Sequence, residues 1–284
     1  MAERASRAAD RGRAMMAGLW NAVIDLLPGN WELFRQWVYW RYLLLGLSIT
    51  ARMAAVSIAV SLIVGVLMAV ARLSPAPIIR WLATTYIEVF RATPLLLLLF
   101  FIFFGAGRFN TGWAADVPVV RMLVDSNSGD LTPFAAAVLA LALYNSAVVA
   151  EIMRAGILSI PRGIIEASRG LGLTYLQSMR HVALPMATRR MAPSLVSQLI
   201  TLYKDTSLAS TLAVFELVRR GRLLFETPTY GNPTIEVLIV VSLMYFIPCY
   251  ALSLLAQRLE REPGRRTSAP TPLRAGAIVT RRPA

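Results

Sequence analysis

Residues 134–153 read FAAAVLALALYNSAVVAEIM and are apolar over almost their whole length. A helix needs ~20 mostly apolar residues to cross the ~30 Å hydrocarbon core of a bilayer. This stretch has the required length, and Glu151 is its single charged residue. The stretch therefore predicts a membrane-spanning helix.

Four further apolar segments lie on either side of it, at residues 43–70, 86–105, 191–213 and 237–255. In the first of these, the predicted membrane part is residues 53–70, just before Arg72. The chain is 56% hydrophobic and 16% charged, with a mean hydropathy of +0.57, whereas soluble domains carry about 25% charged residues. Together these features predict an all-α integral membrane protein with five transmembrane helices.

The chain is also strongly basic, with a formal charge of +13 and a pI of about 10.9. A soluble protein of this charge would be a candidate for binding nucleic acid, but the sequence has no groove-binding motif. The arginines instead cluster at the ends of apolar segments, as expected for a membrane protein. We therefore expect no nucleic-acid partner. The chain has one cysteine, Cys249, and one histidine, His181, so we expect neither an intrachain disulfide nor a metal site.

The arginines also predict which connections face the cytoplasm. Residues 154–190 carry six arginines against one acidic residue, Glu166, so this connection is predicted to be cytoplasmic. Successive spans alternate sides. Residues 72–81 and the chain after Arg258 are therefore also predicted to be cytoplasmic. Residues 107–132 and 216–236 are predicted to lie outside.

The two ends of the chain are predicted to lie beyond a transmembrane domain at residues 43–262. Residues 1–42 form an N-terminal extension, which span alternation places outside although residues 1–13 hold four arginines. Residues 15–28 predict an interfacial amphipathic helix, because apolar residues recur there at helical spacing: Met16, Leu19, Trp20, Val23 and Leu27. Residues 263–284 are rich in Pro, Arg, Ser and Thr and predict a disordered cytoplasmic tail.

The segment that decides the function is GIIEASRGLGLTYLQSMRHVALP, residues 163–185. It is amphipathic and has no apolar run long enough to enter the bilayer. Gly170 and Gly172 permit a sharp turn between two short helices, and Pro185 ends the second or begins the next one. We expect a rigid helix–turn–helix that transmits a partner's push to the spans on either side.

The spacing of this segment resembles the EAA loop of ABC importer permeases. Glu166-Ala167-Ser168 is followed after three residues by Gly172, and after nine more by Val182-Ala183-Leu184-Pro185. Ser168 and Val182 stand where the family pattern has alanine and isoleucine. Three other stretches are similar to the polar amino-acid uptake subfamily: FRATPLLLLLFF (90–101), AEIMRAGILSIPRG (150–163) and KDTSLAS (204–210).

This resemblance implies a five-transmembrane-helix ABC importer permease whose EAA loop forms coupling helices on the cytoplasmic side. In the family these helices dock into a groove of the ATP-binding subunit. The implied coupling residues are Glu166, Ala167, Ser168, Gly170, Gly172, Leu184 and Pro185. The alternative is an amphipathic loop that merely caps the helix bundle.

The chain lacks the loop that binds ATP phosphates, which requires Gly-Lys-Ser or Gly-Lys-Thr. Lys204 is the only lysine, and Tyr203 precedes it. We therefore expect no catalytic residue and no cofactor in this chain, with ATP and Mg²⁺ held by a separate ATP-binding subunit.

The resemblance also implies the assembly and its task. The permease should pair with itself or a sister permease, bind two ATP-binding subunits and receive polar amino acids from a periplasmic binding protein. It should be a multi-pass protein of the bacterial inner membrane, in contact with lipid, and work by alternating access. Three alternatives remain at this stage: a permease for an opine or amine, an ion-coupled secondary transporter, and a scaffold without transport.

Lys204 and Asp205 are the most unusual charged residues, because they lie inside the predicted span 191–213. Lys204 is 13 residues into that span, which is ~20 Å along a helix. An ionisable group there costs ~3 kcal/mol or more unless it faces a cavity or a partner. With the hydroxyls of Thr206 and Ser207, the pair suits the ammonium and carboxylate of an amino acid. The alternative is a structural ion pair with Glu88, Arg91 or Glu151 on other helices, or with the second permease subunit.

Other polar residues in predicted spans fall into two groups. Tyr144 and Asn145 lie near the middle of residues 134–153 and predict either pathway lining or interhelical hydrogen bonds. Arg91-Ala92-Thr93-Pro94 is similar to the family's Arg-Gly-Thr-Pro, and Pro94 should kink its helix. We expect Arg91, Thr93 and Pro94 to contribute to gating. Glu88 is three residues before Arg91 and can pair with it on one helix face.

Overall fold

The computed structural model describes residues 31–109, 131–227 and 233–260, with some positions between 15 and 29. Regular structure over these residues is helical throughout. The α-helices are α1 Trp37–Arg72, α2 Pro77–Ala92, α3 Leu95–Phe109, α4 Leu131–Leu158, α5 Arg162–Gly170, α6 Tyr175–Ser178, α7 Leu184–Asp205, α8 Leu217–Glu226 and α9 Thr234–Glu260. Shorter turns are 3₁₀ at Glu32–Arg35 and Thr206–Leu212 and π-helical at Met179–Ala183.

Three helices in the described ranges, α1, α4 and α9, are long and apolar enough to cross a membrane. They correspond to the predicted spans at residues 43–70, 134–153 and 237–255. The bent pair α2–α3 counts as a fourth if it forms one span. The prediction of several apolar transmembrane helices is thus confirmed. The length and composition of the described helices support three or four spans, however, and not the predicted five.

The predicted span at residues 86–105 is not one continuous helix. It is broken between Ala92 and Leu95, and α2 and α3 meet there at an angle of 106°. Pro94 has no N–H to donate, and steric clash with its ring disfavours helical geometry for the residue before it. Thr93 is accordingly extended, and its hydroxyl donates to the carbonyl of Val89 at 2.8 Å. The kink predicted at Pro94 is therefore a complete break.

The predicted span at residues 191–213 also differs from expectation. Helix α7 ends at Asp205, a 3₁₀ turn follows, and Ala213 has left-handed backbone with φ 60°. Hydroxyl-bearing residues after Asp205 compete for the backbone hydrogen bonds that a helix requires. The hydroxyl of Thr206 donates to the carbonyl of Tyr203 at 2.6 Å. Lys204 therefore lies in the last turn of α7, next to the break.

Helix α4 forms the centre of the bundle. Its apolar stretch is 72% buried, compared with 33% for α1 and 22% for α9. Helix α1 faces it with small residues spaced four apart, which allow the backbones to approach closely: Ser57, Ser61, Gly65 and Ala69. The hydroxyls of Ser57 and Ser61 donate to α4 carbonyls at 3.4 and 3.3 Å.

The bundle has two distinct ends. The α5 end contains α5, the last turns of α1 and α4, and the first turns of α7. The opposite α8 end contains α8, the first turns of α1 and α9, and the N-terminal segment. At this α8 end, the indole N–H groups of Trp20 and Trp40 both donate to the carbonyl of Phe34, at 2.9 and 3.0 Å.

The predicted amphipathic helix at residues 15–28 is only partly described. Trp20 and Ile24 are helical, and Ile24 is buried against the α8 end. Met16, Leu19, Val23 and Leu27 lie outside the described residues, as does the predicted tail at 263–284.

The contact between α1 and α4 generates a first prediction. A Cβ added at Gly65 would lie 2.6 Å from Val149 Cγ1 and 3.0 Å from the carbonyl of Ser146. Gly65→Leu should therefore force the helices apart and reduce the free energy of unfolding by about 1–3 kcal/mol or more. The measurement is the melting temperature in detergent by fluorescence-detected gel filtration. Gly105→Leu is the control, because a Cβ there meets nothing within 4 Å, and equal melting temperatures would contradict the prediction.

Candidate functional site

The loop at residues 163–185 contains a well-defined turn after α5. Gly172 has φ +89°, a conformation that favours glycine. The N–H of Gly172 donates to the carbonyl of Arg169 at 2.9 Å, and the N–H of Leu173 donates to the carbonyl of Ser168 at 3.3 Å. This pair of bonds is the Schellman arrangement that ends a helix with a left-handed residue. The turn predicted from the two glycines is confirmed at Gly172, whereas Gly170 is the last residue of α5.

The next helix begins with a reciprocal cap. The backbone N–H of Thr174 donates to Gln177 Oε1 at 2.9 Å, and the backbone N–H of Gln177 donates to Thr174 Oγ1 at 3.3 Å. This is the capping box expected from Thr-x-x-Gln. Both ends of the turn are therefore held by their own hydrogen bonds, which gives the loop a defined shape.

Helix α5 has one face against the bundle and one face free. Ile164 and Ile165 pack against a cluster formed by Ile160, Ala183, Ala187 and Met191. Of the predicted coupling residues, Glu166, Ala167, Gly170, Gly172 and Pro185 are exposed, whereas Ser168 is buried and donates to the carbonyl of Ile165 at 2.7 Å. Leu184 is the first residue of α7, and its side chain lies outside the described atoms.

The exposed face of α5 ends in a protruding apolar side chain. Leu171 is 84% exposed, the highest value among the large hydrophobic residues described. The tip of the turn therefore presents an apolar side chain, next to the small residues Ala167 and Gly172. Only three residues connect α4 to α5, and the carbonyl of the first, Ser159, accepts from Arg190 at 2.5 Å. The connection between α4 and α5 is therefore short and is tied to α7 through Arg190.

A second feature is a cavity of about 630 Å³ between α7, α8 and α9. Its walls are mainly apolar, and its polar lining includes Lys204, Ser207, Arg222, Ser242 and Tyr245. Two of these residues are cations, and no Asp or Glu lines the cavity. The cavity can therefore bind a carboxylate in a mainly apolar setting.

The structure separates the predicted pathway residues into two groups. Lys204 and Ser207 line the cavity, but Tyr144, Asn145, Asp205 and Thr206 do not. Asn145 is fully buried and accepts from Gln198 Nε2 of α7 at 2.7 Å. Tyr144 packs against the apolar core and Thr206 is buried. At Asn145 the interhelical hydrogen bond is therefore the alternative that the structure shows.

The predicted pair between Glu88 and Arg91 is not formed. Arg72 of α1 binds Glu88 at 2.8 Å and also binds Glu151 at 2.8 Å. Glu151 binds Arg154 at 2.5 Å as well, so the carboxylates of Glu88 and Glu151 are paired with arginines and not with Lys204. Among the predicted gating residues, Arg91 is exposed, and Thr93 and Pro94 form the break between α2 and α3.

The sequence analysis did not identify Glu216, the most constrained acidic residue in the described ranges. Its side chain is fully buried at the N-terminus of α8 and accepts from the N–H groups of Val218 and Arg219 at 2.8 and 2.7 Å. It also accepts from Tyr245 of α9 at 3.0 Å and from Thr50 of α1 at 3.4 Å. One carboxylate therefore joins three helices at the α8 end.

A local signal for this role is present in the sequence. Glu216 directly precedes Leu217, Arg220, Gly221 and Leu224, which recur at helical spacing and form the buried face of α8. A negative side chain at the start of such a pattern is favoured by the helix dipole, but the two distant partners have no signature in sequence. Burial raises the pKa of Glu216 from 4.5 to about 7, and the hydrogen bonds that it accepts only partly offset that effect.

Within the described residues, no group of His, Cys, Asp and Glu is arranged to hold a metal ion. The site therefore consists of an exposed turn at one end of the bundle and a cation-lined cavity towards the other. Chemically, the first can bind a protein and the second an anionic group.

Comparison with protein families gives an independent result. Residues 61–262 match the family described as "Binding-protein-dependent transport system inner membrane component". This range includes the turn, the cavity and the helices that carry them.

Similar proteins agree with this match. The chain is 35% identical over 215 residues to the "Probable glutamine ABC transporter permease protein GlnP" of Bacillus subtilis, covering 76% of this chain and 90% of that protein. It is 31% identical over 242 residues to the "Glutamate/aspartate import permease protein GltK" of Escherichia coli O157:H7, covering 85% and 96%. Among solved structures it resembles "Crystal structure of an amino acid ABC transporter with histidines" with a TM-score of 0.66 and 30% identity, covering 79% of this chain and 95% of that one.

Glu216 generates a prediction about pH. The carboxyl group has a higher pKa in the folded protein, about 7, than its ordinary value of 4.5. Its protonation therefore stabilises the fold, and this stabilisation is lost as pH rises from about 4.5 to about 7, by about 3 kcal/mol at most. Glu216→Gln should remove this component, so the melting temperature should fall less between pH 5 and pH 8 than in the wild type.

The control for this measurement is Glu226→Gln on the exposed side of the same helix. It should keep the wild-type dependence on pH. An unchanged dependence in Glu216→Gln would show that another group is responsible.

Proposed function

The chain belongs to the family of binding-protein-dependent transport system inner membrane components, and on that premise we propose that it is the permease subunit of an ATP-driven importer of polar amino acids. The observation that carries the proposal is the exposed turn at α5, which has the EAA spacing, a rigid shape and a three-residue connection to α4. By their names, the two relatives are a probable glutamine permease and a glutamate/aspartate import permease. These cargoes support polar amino acids as the substrate class.

The proposed assembly contains two permeases, two ATP-binding subunits and a periplasmic binding protein. The exposed face of α5, with Glu166, Ala167 and Gly172 around Leu171, is the proposed docking surface for the ATP-binding subunit. ATP and Mg²⁺ belong to that subunit, and this chain contributes no catalytic residue.

The proposed topology has five crossings in the inner membrane. Four crossings are α1, the pair α2–α3, α4 and α9. The fifth is α7 together with the 3₁₀ turn after it, and the break at Asp205 then lies inside the protein. The α5 end faces the cytoplasm together with the end of α9, so the C-terminus is cytoplasmic. The segment around Trp20 and Phe34 then lies on the outer side, because it packs at the opposite end.

The cavity between α7, α8 and α9 is the proposed part of the substrate pathway. Lys204 and Arg222 supply positive charge for the carboxylate of an amino acid, and Ser207 and Ser242 supply hydroxyl groups. Alternating access would open this cavity in turn to the two sides. The break at Thr93 and Pro94 is a proposed hinge for that movement, with Arg91 beside it.

The coupling role of the turn predicts an effect of Gly172. Alanine at φ +89° is strained by about 1–2 kcal/mol, so Gly172→Ala should distort the docking face and Gly172→Val should do so more strongly. The tagged chain is purified from native membranes in mild detergent, and the ratio of ATP-binding subunit to permease is measured by quantitative mass spectrometry. We expect the ratio to fall in the order wild type, alanine, valine.

The matched control is Gly163→Ala in the same loop. Gly163 has no positive φ, and a Cβ there meets nothing within 4 Å. The same ratio in wild type and both Gly172 variants would exclude this turn as the coupling surface.

The pathway role of Lys204 predicts an effect on substrate affinity. Loss of a hydrogen bond to a charged group costs about 1.5 kcal/mol or more, which is roughly a tenfold increase in Kd. Lys204→Ala should therefore weaken binding of radiolabelled glutamine and glutamate to the purified complex without its binding protein. Arg80→Ala, exposed on α2 away from the cavity, should bind as the wild type does, and unchanged Kd in Lys204→Ala would show that the lysine does not contact substrate.

A further inference from the structure

Four charged residues form a connected cluster at the α5 end of the bundle. The Arg72 guanidinium donates to Glu151 Oε2 and to Glu88 Oε1, both at 2.8 Å. Arg154 donates through Nε and a terminal nitrogen to the two oxygens of Glu151, at 2.5 to 3.1 Å. The cluster therefore joins the last residue of α1 to α2 and α4, with two positive and two negative charges.

The two halves of this cluster differ in their exposure. The side chains of Arg72, Glu151 and Arg154 are 18%, 22% and 29% exposed, whereas Glu88 is 56% exposed. A partly buried pair is costly to break because the remaining charge loses its partner. An exposed pair contributes little to stability, typically about 0.2–1 kcal/mol. The bond between Arg72 and Glu88 is thus the part of the cluster that can open and close at low cost.

Apolar contacts beneath the cluster hold the same three helices together. Ala69 of α1, Ile87 of α2 and Ala150 of α4 form one buried group. The hydroxyl of Tyr86 on α2 also lies 2.7 Å from Ser146 Oγ on α4. The end of α2 is therefore anchored to α4, and Glu88 is placed where Arg72 reaches it.

The positions of these residues along the chain give the cluster its significance. Glu88 lies five residues before Thr93, where α2 ends and the chain turns through 106° into α3. Glu151 and Arg154 lie in the last turns of α4, which leads through three residues into α5. The cluster is thus the polar connection between the break and the turn that carries Leu171.

We propose that the ion cluster of Arg72, Glu88, Glu151 and Arg154 makes the break between α2 and α3 move together with α5. This inference rests on the proposed function, because it assigns the cluster to the coupling between ATP and the transport pathway. Glu88 is the positioning residue at the α2 side, and Glu151 is the residue that ties it through Arg72 to α4. Arg91 adds to this arrangement, since it is close enough to attract Glu151 electrostatically.

A purely structural clamp would behave differently. If the cluster only stabilised the fold, then removing the exposed charge of Glu88 would change little, because that pair is worth so little to stability. If it transmits movement, the same removal should leave the fold intact and disconnect α3 from α5. A measurement of movement therefore separates the two roles, whereas a measurement of stability does not.

The experiment uses spin labels in the complex purified with its ATP-binding subunits, in a Cys249→Ser background. Both label pairs include Tyr250→Cys on α9. In the first pair, the other label is at Arg162→Cys on α5, near the coupling turn. In the second pair, it is at Phe104→Cys on α3, after the break. All three positions are exposed. Distances are measured by double electron–electron resonance without nucleotide and after trapping with ATP and vanadate.

In the wild-type cluster, we expect both distances to change on trapping. In Glu88→Gln, the distance between α5 and α9 should change on trapping as in the wild type. The change in the distance between α3 and α9 should be smaller by about threefold or more. An effect of about this size is what the loss of one exposed ion pair can produce. Glu88→Asp, which keeps the charge, should restore part of the change. The matched control is Asp25→Asn, which removes an exposed partner of Arg35 at the α8 end and should behave as the wild type.

Two results would overturn the proposal. One is an α3 distance that changes as fully in Glu88→Gln as in the wild type. The other is a nucleotide-free distance already altered in Glu88→Gln, which would show a structural role. Failure of the proposed function would look different, because no distance would then respond to ATP and vanadate in the wild-type protein itself.

Discussion

The lack of water inside a bilayer is the constraint on which this structure depends. Every backbone N–H and C=O in the hydrocarbon region needs a partner within the protein, so an interrupted helix is tolerated only where it is buried or lines a cavity. The interruption after Asp205 meets that condition, because Thr206 is fully buried. At Thr93 and at Thr206, the side-chain hydroxyl donates to a carbonyl of the preceding turn. Beyond the second break, Glu216 accepts the first N–H groups of α8 and joins that helix to α1 and α9.

The close contact of α1 with α4 joins the two ends of the bundle into one packed structure. Small residues such as Ser61 and Gly65 bring the two backbones together, and the α4 stretch is the most buried of the three candidate spans. Each end of the bundle then carries a polar group that joins three helices, Glu216 at one end and Arg72 at the other. Movement of α5 can therefore reach the interior through packed helices and need not pass through a flexible segment.

Sequence patterns predicted the parts of this structure that depend on local chemistry. Apolar length was sufficient for α1, α4 and α9, and the need for positive φ was sufficient for the turn at Gly172. The same reasoning failed where the outcome depends on distant partners. Glu88 was paired with Arg91 from helical spacing, but Arg72 reaches it from another helix. Apolar length predicts one helix over residues 191–213, but α7 ends at Asp205 and a 3₁₀ turn follows.

The central claim is that the turn after α5 contacts an ATP-binding subunit at the cytoplasmic face. Photo-crosslinking in native membranes tests it directly, with a photoreactive amino acid placed at position 171 or at position 37. The side chain of Leu171 is 84% exposed at the α5 end, and that of Trp37 is 70% exposed towards the other end. The account predicts a covalent adduct with an ATP-binding subunit from position 171 and none from position 37. The absence of such an adduct from position 171, or the same adduct from both positions, would contradict it.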